Sequence, residues 1–174
     1  MTVDAHWLAL WTHSHFEQLV HDQLLGKGFN PFLPMMSVWS RRGGVRRLVR
    51  KPMFPGYLFL RSAIDKTSYI EIVKTNGLVR VLGEGWDRPA LVPDAEIDAV
   101  RQVIATGLPI LPHSYLREGH RVRITHGPLA GVEGILTRNN PQTGLLVVSV
   151  ELLQRSLAVE VDCTAVALSH GAAA

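Results

Sequence analysis

The sequence predicts an α+β protein: an N-terminal α/β sandwich joined by a linker to a small C-terminal β-barrel. Three observations carry this expectation. Strand-like and helix-like segments alternate up to about residue 106. Composition then shifts at Gly107-Leu-Pro-Ile-Leu-Pro-His113, where two prolines and a glycine fit an extended connection. Beyond it come only short alternating segments with glycine-rich turns, the mark of a small antiparallel barrel. The resulting division is residues 1–106, a linker at 107–116, and a second domain at 117–170.

In the first part, His6–Thr12 is an apolar run with Trp7 and Trp11 and reads as a buried strand. Ser14-His-Phe-Glu17 has the pattern of a capping box, in which hydroxyl and carboxylate each satisfy a free backbone N–H. Phe16, Leu19, Val20 and Leu24 follow at helical spacing, and Gly26 and Gly28 offer a stop. Pro31 and Pro34 keep Phe29–Ser40 extended. Arg42-Gly-Gly-Val45 reads as a hairpin tip, and Phe54–Arg61 as the returning strand. Asp65 caps a short helix that Asn76-Gly77 ends, and Leu78–Leu82 is another strand. Asp94–Ile104 places Ile97, Val100, Val103 and Ile104 on one helical face.

The second part centres on Gly119–Arg138. Val122/Ile124 and Ile135/Thr137 alternate with polar residues, as strands buried on one face do. Between them Gly127, Pro128, Gly131 and Gly134 build a tight bent loop. Further strands are expected near Leu145–Leu152, Ser156–Val161 and Ala165–Leu168, with Asn139–Gly144 as a turn and a frayed tail at His170–Ala174. The β-branched density of Val147, Val148, Val150, Val159 and Val161 favours strands over helix.

Charge is only mildly basic, +3, but unevenly placed. No Asp or Glu occurs from Gln23 to Ile64, while Lys27, Arg41, Arg42, Arg46, Arg47, Arg50, Lys51 and Arg61 all do. That distribution suits a surface facing phosphate. The single cysteine, Cys163, excludes an internal disulfide and fits a reducing compartment. The N-terminus has no secretory pattern, and no apolar stretch approaches about 18 residues. The expectation is a soluble, cytoplasmic monomer.

Catalytic and metal chemistry is not expected. The eight histidines lack partner ligands at metal spacing. There is no phosphate-binding Gly-Lys-Ser/Thr loop, and Gly83-Glu-Gly85 lacks the rest of a dinucleotide fingerprint. Asp94, Glu96 and Asp98 fall at a helix start, where the macrodipole favours acids. The reading is therefore no enzyme, no metal and no cofactor.

Two motifs in order carry a family resemblance. Gly127–Gly131 with its flanking strands resembles the KOW motif. Leu48-Val-Arg-Lys-Pro-Met-Phe-Pro-Gly-Tyr-Leu-Phe-Leu60 resembles the FPGY strand of the NusG N-terminal domain. Thr75–Gly83 and Pro89–Ile97 resemble the segments that follow it in that domain. Gly107–Leu116 and Val148–Asp162 resemble the UpxY-like antiterminators, specialised NusG paralogues of polysaccharide operons.

The resemblance implies a bacterial transcription antitermination and elongation factor that suppresses pausing and termination. It implies docking on the clamp helices of the largest RNA polymerase subunit through Trp11, Phe54, Pro55, Tyr57, Val79 and Val81. A gate-loop contact would fall at Thr67 and Ser68. Leu129 and Leu153 would meet a second partner, a small-subunit ribosomal protein or Rho. Non-template DNA would meet His13, His15, Trp39, Arg41, Arg42, Arg46 and Arg47. The rivals are a housekeeping NusG acting with Rho and a KOW RNA-binding protein of translation or ribosome assembly.

Overall fold

The computed structural model describes residues 4–113, 119–138, 143–162 and 165–169. Most of the Asn139–Gly144 turn, the linker residues 114–116, Cys163 and the His170–Ala174 tail lie outside them. The chain divides into two compact units, Met1–Asp94 and Ala95–Ala174.

The first unit is built on a sheet ordered β2-β5-β1-β6, with β7 also pairing β1. Its strands are β1 (His6–Thr12), β2 (Asn30–Phe32), β5 (Tyr57–Ser62), β6 (Leu78–Val81) and β7 (Leu91–Val92). Period-two alternation gives this sheet two different faces. On one, Leu8, Leu10, Leu58 and Leu60 pack against Val20 and Leu24 of α1 (Glu17–Gly26) and Ile72 of α2 (Lys66–Val73). On the other, Trp7, Phe32, Phe59 and Phe54 form a chain of ring contacts with centroids 6.1, 6.2 and 5.8 Å apart. The Asp65 carboxylate accepts the Ser68 N–H at 2.7 Å and starts α2 as the sequence predicts.

A separate two-stranded ribbon pairs β3 (Met35–Arg42) with β4 (Val45–Pro52) from Met35↔Pro52 to Arg42↔Val45. Its tip, Gly43-Gly44, has φ of +60° and +78°. Two consecutive positive values suit the two-residue turn whose twist matches the flanking strands.

The second unit holds α3 (Asp94–Ala105, from Ala95 on) and one antiparallel sheet. Its strands are β8 (Ile110–His113), β9 (Arg121–Ile124), β10 (Glu133–Arg138), β11 (Thr143–Val150), β12 (Arg155–Asp162) and β13 (Val166–Leu168). They run in the order β13-β9-β10-β11-β12-β8. Val122, Ile124, Leu136, Leu146, Val148, Val159 and Val161 share one core cluster with Ala99 and Val103 of α3. Thus α3, which the sequence assigns to the first domain, clusters with the second unit. Residues 110–113, read as linker, form β8, because β12 offers them a hydrogen-bonding edge.

Candidate functional site

The Phe54-Pro55-Gly56-Tyr57 segment is a tight turn. The Tyr57 N–H donates to the Phe54 carbonyl at 2.9 Å, and Gly56 has φ +85°. Proline at the second position and glycine at the third are what a type II turn demands. The turn is tied down on both sides. The Gly56 carbonyl accepts the Thr12 N–H at 2.8 Å, and the Gly56 N–H donates to the Glu17 carboxylate at 2.7 Å. Glu17 is only 6% exposed. The expected capping box is therefore absent: no side chain caps α1, and Glu17 reaches across to the turn instead. An otherwise free turn N–H, beside a carboxylate in the first turn of a helix, is the signal that sequence reasoning passed over.

This anchoring displays a set of apolar side chains. Trp11 pairs with Tyr57 across β1 and β5, and the Trp11 ring edge lies 3.9 Å from where a Gly56 Cβ would stand. Trp11 is 42% exposed and Val79 39%, Pro55 is exposed and Tyr57 half-buried. Two of the predicted residues do not belong to this surface. Phe54 is 1% exposed and meets Phe59 edge to face, while Val81 is 4% exposed in the core with Leu10. Phe54 precedes the turn and is covered by the aromatic face of the sheet, and Val81 pairs with Leu10 in the core that α1 and α2 close.

Phe16 was not predicted as a surface residue, yet it is 37% exposed. Its ring meets His13 edge-on at 6.1 Å and rests where a Gly77 Cβ would come within 2.5 Å. His13 and His15 are exposed at the entry to α1, with His15 at φ +67°. Thr67 is exposed and Ser68 half-buried on α2. On the ribbon, Trp39, Arg41, Arg42, Arg46 and Arg47 are all exposed.

The loop of the second unit is as tight as its glycines predict. The Gly131 N–H donates to the Ile124 carbonyl at 2.8 Å, the Ala130 N–H to the Gly127 carbonyl at 3.1 Å, and both glycines have positive φ. Leu129, expected at an exposed tip, is instead 4% exposed within the core cluster that includes Ala99 and Val103. The Gln102 side-chain N–H₂ donates to the Pro128 and Ala130 carbonyls at 3.3 and 2.8 Å, holding α3 over the loop. Leu153, in the 3₁₀ turn Glu151–Leu153, is 7% exposed. Leu129 is covered because α3 and the sheet supply apolar partners that the sequence reading left to other molecules.

A cleft of about 600 Å³ runs beside α3, lined among others by Glu96, Gln102, Arg121, Arg123 and Glu133. The Glu96 carboxylate accepts the Glu151 N–H at 3.5 Å, and its Oε2 is buried without a partner. Burial raises the Glu96 pKa above 4.5; the Glu151 N–H opposes this, and the Glu151 carboxylate adds to it. No group of three or more His, Cys, Asp or Glu side chains gathers at metal-binding distance among the described residues.

Comparison with known proteins now decides the family. The family model described as "Transcription termination factor nusG" matches residues 5–101. The chain belongs to the NusG family. It is thus a transcription termination/antitermination factor of the NusG type, not an enzyme. The Thermus thermophilus NusG is 33% identical over 148 residues, spanning 80% of each chain. The Pseudomonas aeruginosa NusG is 26% identical over 166 residues, spanning 90% of this chain and 94% of that one. The structure titled "Domain interaction in Thermotoga maritima NusG" superposes with a TM-score of 0.58 at 18% identity, over 94% of this chain and 96% of that one, and shows the fold. No helix among the described residues is long and apolar enough to cross a membrane.

Two outcomes follow from this geometry. Glu17→Ala leaves the Gly56 N–H without its charged acceptor. It should lower the unfolding free energy by about 1.5–3 kcal/mol in urea titrations followed by tryptophan fluorescence; Glu17→Gln, which keeps an acceptor oxygen, should lower it by less. For Glu96, the folded protein holds the proton more tightly than the unfolded chain. Its contribution is full below the unfolded pKa and is lost as pH rises through the raised value. Unfolding free energies of Glu96→Gln should therefore fall less steeply than the parent's from pH 4.5 upward, and coincident pH profiles would contradict this.

Proposed function

We propose that the Trp11–Tyr57 surface docks on RNA polymerase, at the clamp-helix coiled coil of its largest subunit. The supporting observation is an exposed tryptophan and a half-buried tyrosine paired across two central strands, beside Pro55 and Val79, on a turn fixed by a buried carboxylate. Aromatic anchors on a rigid surface supply most of an interface's free energy. Phe54 and Val81 act beneath this surface by filling the core. Thr67 and Ser68 are proposed for a secondary contact with the polymerase gate loop. Binding preferentially to a closed clamp would shift that equilibrium toward the closed state by the difference in affinities. Pausing and termination would be suppressed in consequence.

The second unit is proposed to recruit a ribosomal protein or Rho through the Gly127–Gly131 loop. Leu129 can contribute only once α3 leaves the loop, and Leu153 is likewise buried here. A role at one long polysaccharide operon is supported by the segments Gly107–Leu116 and Val148–Asp162, which resemble those of specialised antiterminators. Deleting the gene should then deplete the distal transcripts of one operon. A genome-wide termination defect would favour housekeeping instead.

The double variant Trp11→Ala/Tyr57→Ala should bind isolated clamp helices roughly 1,000-fold more weakly, at about 2 kcal/mol per anchor. Its circular dichroism and melting should stay close to the parent's. Unchanged affinity would assign the docking to another surface.

A further inference from the structure

Strand register puts a third side chain on the surface that carries Trp11 and Tyr57. Trp11 of β1 pairs with Tyr57 of β5 on one side and with Arg80 of β6 on the other. Residues paired across strands project from the same face of a sheet. Tyr57, Trp11 and Arg80 therefore form one row across three neighbouring strands. The next row, Leu58, Leu10 and Val81, turns to the opposite face and is buried there with side chains of α1 and α2. Arg80 is exposed, at the β6 end of the row.

A break in the ladder adds Val79 to this surface. Trp11 pairs with Arg80 but Thr12 pairs with Leu78, so Val79 has no partner on β1. Strict alternation would turn Val79 to the buried face with Val81. The slip in register frees it, and Val79 and Arg80 are exposed one after the other. The start of β6 is held in place. Gln23 of α1 grips both backbone groups of Asn76, donating to its carbonyl at 2.9 Å and accepting its N–H at 3.2 Å. The His13 N–H donates to the Gly77 carbonyl at 2.9 Å. These bonds fix which residue stands opposite Trp11.

No hydrogen bond or ion pair engages the Arg80 guanidinium among the described residues. The acids nearest it in sequence are committed elsewhere: Glu84 faces Arg88 at 3.5 Å, and Glu71 faces Lys74 at 3.3 Å. Glu17 is buried against the Gly56 N–H. An arginine beside exposed aromatic side chains, with no acid of its own, offers half of an ion pair to whatever covers them. Three strands at a spacing of about 4.8 Å make the row about 10 Å long, the width of one helix with its side chains.

We infer that Arg80 sets the specificity and orientation of docking: the helix that covers Trp11 and Tyr57 brings a carboxylate to the Arg80 guanidinium. The identity of that helix as the polymerase's rests on the docking reading, whereas the place of the cation rests on the strand register alone. Guanidinium and carboxylate can share two parallel N–H···O bonds, which fix geometry as well as charge. An apolar helix lacking the carboxylate would cover Arg80 without compensation, and one docked in reverse would carry its carboxylate to the tyrosine end.

The test measures binding of full-length variants to the isolated clamp-helix fragment. Arg80→Ala should bind roughly 10- to 100-fold more weakly, as when one side of a charge-assisted hydrogen bond is removed. Its circular dichroism and melting should stay close to the parent's. Arg88→Ala, the same loss of charge outside the row, should change affinity by less than about twofold. The parent's affinity should fall between about 50 and 500 mM salt, and that of Arg80→Ala less steeply. Arg80→Glu should bind more weakly than Arg80→Ala, and one Asp→Lys or Glu→Lys substitution in the fragment should restore its binding. Unchanged affinity of Arg80→Ala, equal losses from Arg80→Ala and Arg88→Ala, or no rescue of Arg80→Glu by any single charge reversal would overturn the inference. Trp11→Ala/Tyr57→Ala separates the two readings. A loss there with Arg80→Ala unaffected keeps the docking surface and removes the role of Arg80, and full binding by every variant removes both.

Discussion

The bond between the Glu17 carboxylate and the Gly56 N–H is the constraint on which the first unit's surface depends. It joins the start of α1 to the turn before β5 across a sequence separation that neither element could bridge by itself. A buried acceptor-only group must be satisfied, and a turn N–H aimed away from its own strand must be too. Each solves the other's problem. With the Thr12–Gly56 bond it fixes the level at which Trp11 and Tyr57 emerge from their strands. Rigidity matters there because an anchor already in its bound rotamer loses less entropy on docking.

Much of the architecture was legible because it rests on local rules. Asp65 begins a helix because its carboxylate reaches the Ser68 N–H. Gly43-Gly44 makes a hairpin because both positions need positive φ. Val147 and its neighbours form β11 and β12 because branched side chains suit a pleated surface. The family was legible because two such local patterns occur in a fixed order, Phe54–Tyr57 and then Gly127–Gly131.

The candidate site was less legible, and the failures share a cause. Whether Phe54, Val81, Leu129 or Leu153 is exposed depends on what another element places over it, which no local pattern encodes. Leu129 has the composition of a loop tip but is covered, since Gln102 draws α3 onto the loop carbonyls. Glu17 fits a capping box equally well, and only the three-dimensional closeness of Gly56 redirects it. The ribbon arginines could have been sorted by alternation once Arg42↔Val45 fixed the register. Without that pairing they read as one basic run.

Stability and function pull apart at two places. The ribbon sets like charges opposite each other and leaves Trp39 and Leu48 in water. Trp11 and Val79 are likewise exposed on a sheet whose remaining apolar residues are largely buried. The most direct test of the account is an NMR titration of the ¹⁵N-labelled full-length chain with the polymerase clamp-helix fragment. The account predicts that the largest shifts fall on the Trp11 indole N–H and on the Gly56, Tyr57 and Val79 amides. Shifts confined to the second unit or to the ribbon, with the Trp11 indole unmoved, would contradict it.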